Sequence, residues 1–226
     1  MNITRFSAKA FGLSAASTVL ALTLGFAVGG AAVAQTAASL DLVRRATDPN
    51  PTLNSYTASA QLSATLHAPI PIRKTFSGSV FYLKPNRKIE FQGVPGALSK
   101  FKDLTSATPS YDQASAKYTI TPLTDDGSVS TYSLVPKATG GRVKSVTLTV
   151  SDRSALVKRA VWSYTDGGTL TFDQTYTTVG DFHLPARATI AARFPKYNVD
   201  GVLTITNYAP NAAVSPSVFA TPSAAP

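Results

Sequence analysis

The chain contains no cysteine, two histidines and a single glutamate, and each shortage excludes a class of function. Without cysteine there is no disulfide framework, no thiolate chemistry and no acceptor for an N-terminal lipid anchor. His67 and His183 have no partner at metal-ligand spacing, and His67 falls on the polar side of its strand pattern. We therefore interpret both as surface or turn residues, and we predict no metal site, no cofactor and no catalytic residue.

Acidic residues are also scarce, since 12 aspartate and glutamate residues face 21 lysine and arginine residues, for a formal net charge of +9. Asp125-Asp126 precedes Gly127, and Asp166 precedes two further glycines, so these acids are typical of turns rather than of acid–base pairs. A basic surface favours anionic lipid headgroups or acidic polymers. Because the positive charges are spread along the chain, we do not predict nucleic-acid binding.

The one long hydrophobic run lies at the N-terminus. Arg5 and Lys9 precede a largely apolar stretch from residue 10 to 28, and Ala-Val-Ala ends it at residues 32–34. This order is typical of a secretory signal peptide, and we predict that residues 1–34 are cleaved off after Ala34. An uncleaved anchor is the alternative, because the run is long enough to cross a bilayer. Cleavage removes two basic residues and no acid, which leaves a formal net charge of +7 on the mature chain. We expect the mature protein to be a monomer in the periplasm.

The rest of the chain is dominated by two-residue alternation of apolar and hydroxyl side chains. Residues 131–179 read as four consecutive strands, joined by turn-forming residues at 140–141, 151–154 and 166–168. A period of two places one set of side chains on a buried face and the other set in water. This stretch therefore predicts an antiparallel meander. Further strands are predicted at 56–66, 73–84, 87–92, 117–120, 184–194 and 202–206.

Helical patterns are few. Residues 39–47 predict a short helix with Ser39 as N-cap and a narrow apolar stripe formed by Leu40, Val43 and either Ala46 or Thr47. Residues 94–104 are compatible with a second amphipathic helix, and residues 106–115 read as a loop. The last residues, 220–226, are predicted to be disordered because they are rich in alanine, proline and serine.

Nine or ten strands with one apolar face each exceed what two short helices can cover. A sheet of this width curls under its own twist. Either the sheet closes on itself as a packed barrel or sandwich, or it keeps an apolar cavity that binds a ligand. Periodicity alone leaves both alternatives open.

Two segments resemble the LolA family of periplasmic lipoprotein carriers. Residues 80–91, VFYLKPNRKIEF, are similar to the family's aromatic strand, basic residue, Pro-Asn turn and second aromatic strand. Residues 132–164, which begin YSLVPK, are similar to its Leu-x-Pro-Lys strand and the two strands that follow. The predicted helix at 39–47 falls where that family has its first helix.

The resemblance implies a mainly β fold over residues 35–219, with a curled antiparallel sheet that forms an unclosed barrel covered by short helices. It also implies a cavity for the acyl chains of a lipoprotein or lipid, no enzymatic activity, and transfer partners at the inner and outer membranes. The same fold occurs in lipoprotein acceptors of the LolB type and stress-sensor subunits of the RseB type. A sensor or scaffold, or a structural β-sandwich without ligand, are therefore the alternatives.

Candidate ligand-binding residues are the bulky side chains on the predicted buried face, for which an ordinary core is the alternative reading. Lys84 stands where the family usually has arginine before Pro-Asn. It alternates in step with Phe76, Val80 and Tyr82, so its ammonium group is expected at the rim of the apolar face. There it either holds the lid or extends into solvent. Leu40 and Val43 are the candidate lid residues. The predicted site comprises Tyr56, Leu62, Phe76, Val80, Tyr82, Lys84, Phe91, Leu148, Trp162, Phe172 and Tyr176.

Overall fold

The computed structural model describes residues 39–93 and 110–219, where ten strands form one antiparallel sheet with two short α-helices and a 3₁₀ helix at Pro216–Phe219. The predicted fold class is confirmed, including the meander, which corresponds to β5–β8. Helix α1 spans Leu40–Thr47 and α2 spans Tyr111–Lys117. The strands are β1 (Ser55–His67), β2 (Ile72–Leu83), β3 (Asn86–Phe91), β4 (Tyr118–Asp125), β5 (Val129–Pro136), β6 (Val143–Ser151), β7 (Val157–Tyr164), β8 (Thr169–Val179), β9 (Phe182–Phe194) and β10 (Tyr197–Pro210).

The strands follow the order β3-β2-β1-β10-β9-β8-β7-β6-β5-β4, so the first and last strands of the chain pair inside the sheet, as the third and fourth strands from the β3 edge. Among the described strands, β3 and β4 form the two edges and do not pair with each other. The sheet is therefore an unclosed barrel, and the two-sheet sandwich considered from the sequence is wrong.

One apolar row crosses nine strands without interruption and defines the inner face of the sheet. Its members are cross-strand partners, and directly opposed side chains of paired strands lie on the same face. The row runs from β4 to β2 through Ile120, Leu134, Val146, Trp162, Leu170, Ala192, Val199, Leu66 and Ile72. The alternation predicted from the sequence thus gives one continuous apolar surface.

Helix α1 begins and ends as its sequence predicts. The Ser39 hydroxyl accepts a hydrogen bond from the Asp41 amide at 3.2 Å, and the carboxylate of Asp41 lies in the first turn, where the helix dipole favours negative charge. The buried residues are Leu42, Val43 and Ala46, whereas Leu40 is 41% exposed. The prediction of Leu40 in the buried stripe is wrong, because the helix packs on the sheet through the adjacent face.

Helix α2 corrects the prediction of a loop at residues 106–115. Ser110 and Gln113 form a reciprocal capping box, in which each side chain accepts a hydrogen bond from the other residue's amide at 3.2 Å. A serine followed three residues later by glutamine is a known signature of a helix start. The predicted helix at 94–104, the signal peptide at 1–34 and the tail at 220–226 lie outside the described residues.

Candidate ligand-binding site

The inner face carries two apolar clusters that meet at Trp162. The small cluster, under α1, consists of Leu42, Val43, Ala46, Tyr132, Leu134, Val146, Val150 and Ala155. The large cluster consists of Leu53, Tyr56, Ala58, Ala60, Leu62, Phe76, Val80, Ile89, Phe91, Leu170, Leu184, Ile190, Ala192, Val199 and Ile205. Trp162 is half-buried and packs against both.

A cavity of about 70 Å³ lies within the large cluster. It is lined by residues of β3 and of β8–β9, although a flat sheet would separate β3 from β8 by five strand spacings, roughly 24 Å. The curl of the sheet therefore brings the β3 edge over the middle strands. The lining consists of Leu62, Arg87, Ile89, Phe91, Phe172, Gln174, Pro185, Arg187, Ala188, Ile190, Leu203 and Ile205.

Tyrosines surround one end of the large cluster. The rings of Tyr56 and Tyr82 stack with their centroids 4.9 Å apart, and Tyr208 meets Tyr56 edge-on at 5.3 Å. The Tyr208 hydroxyl donates a hydrogen bond to the Pro185 carbonyl, and the Tyr176 hydroxyl donates to the Val157 carbonyl at 2.9 Å. These two hydroxyls are satisfied by backbone, so they fix the rings rather than offer free donors.

Arg87 is the one lining residue of β3 that carries a charge. It lies opposite Tyr82 in the sheet and shares its strand parity with the buried Ile89 and Phe91, which places it on the inner face. Burial raises the pKa of Tyr56, of Tyr82 and of Tyr176, the last to about 12, and the positive charge of Arg87 partly offsets each rise. The arginine therefore acts electrostatically on the whole tyrosine group.

Lys84 lies outside the cavity. Its Nζ donates to the Asp48 carboxylate at 2.7 Å and to the Pro51 carbonyl at 3.1 Å. Asp48 is the C-cap of α1, and Pro51 belongs to the connection from α1 to β1. Lys84 thus fastens the end of β2 to the segment that follows the helix.

The structure gathers only part of the predicted site around the cavity. Leu62, Phe91 and Phe172 line it, and Tyr56, Phe76 and Val80 belong to the large cluster that encloses it. Tyr82 and Trp162 pack against that cluster. Val43 lies in the small cluster with α1, and the half-buried Leu148 packs beside it, so neither residue is placed at the cavity.

Several lining residues were not selected from the sequence. Ile190, Leu203 and Ile205 follow the recognised apolar alternation of their strands but were not distinguished from ordinary core. Arg87 carried a usable signal, since its parity matches that of Ile89 and Phe91. Gln174 carried the same signal through its parity with Phe172. Both residues can be recognised as polar side chains at strand positions that otherwise alternate with apolar ones on the buried face.

Within residues 39–93 and 110–219, no three histidine, aspartate or glutamate side chains come together as a metal site. His67 lies on the surface, with its Nε2 2.6 Å from the Asp200 carboxylate. In the same described part, no helix is both long and apolar enough to span a bilayer.

Solved structures share this architecture at low sequence identity. A domain assigned to outer-membrane lipoprotein sorting from Vibrio parahaemolyticus superposes with a TM-score of 0.56 at 11% identity, over 80% of this chain and 95% of that one. A DUF1329 family protein from Desulfovibrio piger gives 0.53 at 11% identity, over the same shares. A LolA superfamily protein from Nitrosomonas europaea gives 0.49 at 10% identity, over 80% and 97%.

The first two similarities establish that the chain has a LolA-like fold, as the sequence resemblance indicated. No protein-family model matches the chain, and no curated protein matches it significantly in sequence. At 11% identity the similarity concerns the fold, so the function is argued from the site itself.

Proposed function

We propose that this protein is a periplasmic carrier that holds the acyl chains of a lipoprotein or lipid on its inner face and moves them between the envelope membranes. The observation that carries the proposal is the unequal cover of the inner face. Among the described residues, no helical residue belongs to the large cluster, whereas α1 supplies three members of the small one. The curl of the sheet, and no helix, closes the large cluster and leaves a cavity among its side chains, and an apolar cavity is suited to an apolar ligand.

The energetics favour an acyl chain as that ligand. Burial of a chain contributes about 0.8 kcal/mol per methylene, so ten methylenes offer about 8 kcal/mol before the costs of ordering. The cavity of about 70 Å³ is far below the roughly 300–1,000 Å³ of ordinary ligand sites. Binding therefore requires the β3 side to move away from β8–β9. The unpaired edges of the sheet allow such a movement without breaking a strand pairing of the barrel.

The proposed location rests on the N-terminal sequence. The basic start, apolar run and small residues of positions 1–34 support export and cleavage, with the carrier domain at 35–219. Transfer partners at the inner and outer membranes follow from the carrier role. We propose no enzymatic activity, because the polar residues that line the cavity are two arginines and a glutamine, with no nucleophile paired with a base.

The first test is to isolate the full-length protein gently from its cells and identify copurified lipid by mass spectrometry. Trp162, the single tryptophan, then reports binding, because it touches both clusters. Titration with hexadecanoate is expected to shift its emission to the blue and to saturate. An emission spectrum that no acyl ligand changes, together with the absence of copurified lipid, would contradict the proposal.

A sensor of the same fold would bind acyl chains on the same surface, so binding alone does not separate the two roles. Transfer of a fluorescent acyl ligand between donor and acceptor vesicles does. A carrier accelerates the transfer in proportion to its concentration, and a sensor leaves the transfer rate unchanged.

A further inference from the structure

Arg87 stands out on the inner face as a guanidinium without an anion. It is half-buried and lines the cavity, and its Nε is shielded from solvent without a hydrogen-bond partner among the described residues. The ion pairs of the described residues involve other cations: His67, Lys84, Lys88, Arg142, Arg159 and Arg193. A shielded N–H without an acceptor is unfavourable unless a ligand supplies the acceptor.

The neighbours of Arg87 are suited to a polar headgroup at the end of an apolar site. Gln174 lines the same cavity from the facing strand β8 and adds an amide, while Ile89, Phe91 and Phe172 supply the apolar continuation. The hydroxyls of Tyr176 and Tyr208 donate their protons to backbone carbonyls, so neither has a proton left to donate to the headgroup. The planar fork of arginine matches the two oxygens of a carboxylate or phosphate.

We propose that Arg87 binds the anionic headgroup of an acyl lipid whose chain occupies the large cluster. This inference rests on the proposed carrier function and narrows its cargo. The acyl chains of a lipoprotein are attached through ester, amide and thioether links, all of which are neutral. An anion-binding arginine inside the cavity therefore favours a lipid that carries its own carboxylate or phosphate, such as a fatty acid or a phospholipid with one chain.

The test compares ligands that differ only in the headgroup. Wild-type protein should bind hexadecanoate and hexadecyl phosphate about tenfold to a hundredfold more tightly than hexadecanol, as charge-assisted hydrogen bonds allow. Arg87→Gln should remove this preference, so that the three ligands bind with similar affinity, while Arg87→Lys should restore part of it. Arg159→Gln removes the same charge from the outer face, where Arg159 pairs with Asp173, and should have no effect. Trp162 emission and calorimetry measure the affinities.

Each outcome bears on a different claim. If the wild type binds none of the three ligands, the carrier function itself fails. If it binds all three equally, or if Arg87→Gln leaves the preference intact, the carrier function stands and the role of Arg87 is refuted. If inorganic phosphate alone binds as tightly as hexadecyl phosphate, the site takes free anions and the proposal is also refuted. The wild-type comparison needs no variant, so it holds even where Arg87→Gln fails to fold. The stronger of the two anionic ligands identifies the headgroup.

Discussion

The two apolar clusters are built from the same sheet, but they differ in what covers them. The small cluster is sealed by α1, and the Tyr132 hydroxyl at its centre donates to the Ser39 carbonyl of the helix start at 2.8 Å. Tyr132, Val43 and Val150 are at most 2% exposed. The large cluster contains more residues, yet many of the aromatic rings at its margin are only half-buried, and a cavity lies inside it.

This difference distinguishes burial that stabilises the fold from burial that prepares a binding site. In the small cluster the Tyr132 hydroxyl is paired with the Ser39 carbonyl, although Oδ2 of Asp152, beside the cluster, has no partner among the described residues. In the large cluster an arginine faces the cavity without a carboxylate among the described residues. Protein interiors satisfy most of their polar groups, and of the two exceptions only Arg87 lines the cavity, so a ligand is expected there. The predictions below test whether one region holds the fold while the other binds.

The largest expected effect comes from truncating an aromatic ring in each cluster. Tyr132→Ala should lower the free energy of unfolding by about 3–5 kcal/mol, because it leaves a closed void under α1. Phe172→Ala should cost less, because Phe172 is half-buried and borders an existing cavity. Phe172→Ala should in turn bind hexadecanoate more tightly, since an acyl chain can occupy the space of the ring.

Urea unfolding and Trp162 titration measure the two quantities on the same samples. Because Phe172 contacts the indole edge-on at 5.4 Å, the Phe172→Ala protein is calibrated by calorimetry as well. Equal destabilisation by both truncations, with acyl affinity unchanged in both, would remove the distinction between the clusters.

The second prediction fills the cavity instead of enlarging it. Ala188 is buried and lines the cavity on β9, whereas Ala191 is a half-buried residue on the outer face of the same strand. Ala188→Phe should weaken hexadecanoate binding about tenfold or more, since a loss of about 1.4 kcal/mol suffices. Ala191→Phe is the matched control and should bind like the wild type. Similar affinities for the two variants would place the acyl site elsewhere.

Much of the fold could be predicted because strand patterning is local. The alternation that runs from Tyr56 to Leu66 is recorded in neighbouring residues, and the structure gives β1 over nearly the same range. The capping box of α2 was equally local and was missed only because its short helix lacks an apolar stripe. The buried face of α1 could not be predicted in full, because contact with Tyr132 rather than helical periodicity decides that Leu42 is buried and Leu40 exposed.

The candidate site was predicted less well because it depends on contacts distant in sequence. Phe91 and Phe172 line the same cavity only because the sheet curls β3 over β8–β9. Nothing in the sequence around Phe91 encodes that approach. Leu148 has the same apolar parity as the lining residues, yet it packs in the small cluster, since parity identifies a face and not a position along it.

The third prediction concerns pH. Burial raises the pKa of Tyr176 to about 12, whereas a tyrosine in the unfolded chain ionises at about pH 10. The folded state therefore keeps its proton where the unfolded state has lost it. The contribution of Tyr176 to stability is fully present below about pH 10 and declines as the pH rises toward 12.

Tyr176→Phe should therefore flatten the fall of unfolding free energy between about pH 10 and 12. A slope remains, because burial also raises the pKa of Tyr56, Tyr82 and Tyr208 in the same region. At neutral pH the variant should lose about 1 kcal/mol with the hydrogen bond to Val157. Urea unfolding at a series of pH values checks both effects, and identical slopes for the variant and the wild type would show that Tyr176 ionises freely in the folded protein.

The smallest effect on stability is expected at Lys84, which joins the segment that follows α1 to the end of β2. Its ion pair with Asp48 is substantially exposed, so Lys84→Leu should change the free energy of unfolding by only about 0–1 kcal/mol. The same bonds hold the connection from α1 to β1 against the end of β2, so their loss should speed acyl release by up to about fivefold.

Stopped-flow release of hexadecanoate measures the rate, and Lys84→Arg, which keeps the charge, serves as the control. Asp48→Asn should reproduce the faster release because it removes the same ion pair. If Lys84→Leu releases ligand at the wild-type rate, the lysine only extends its charge into solvent, and the role that basic residues before Pro-Asn have in the LolA family does not apply to this chain.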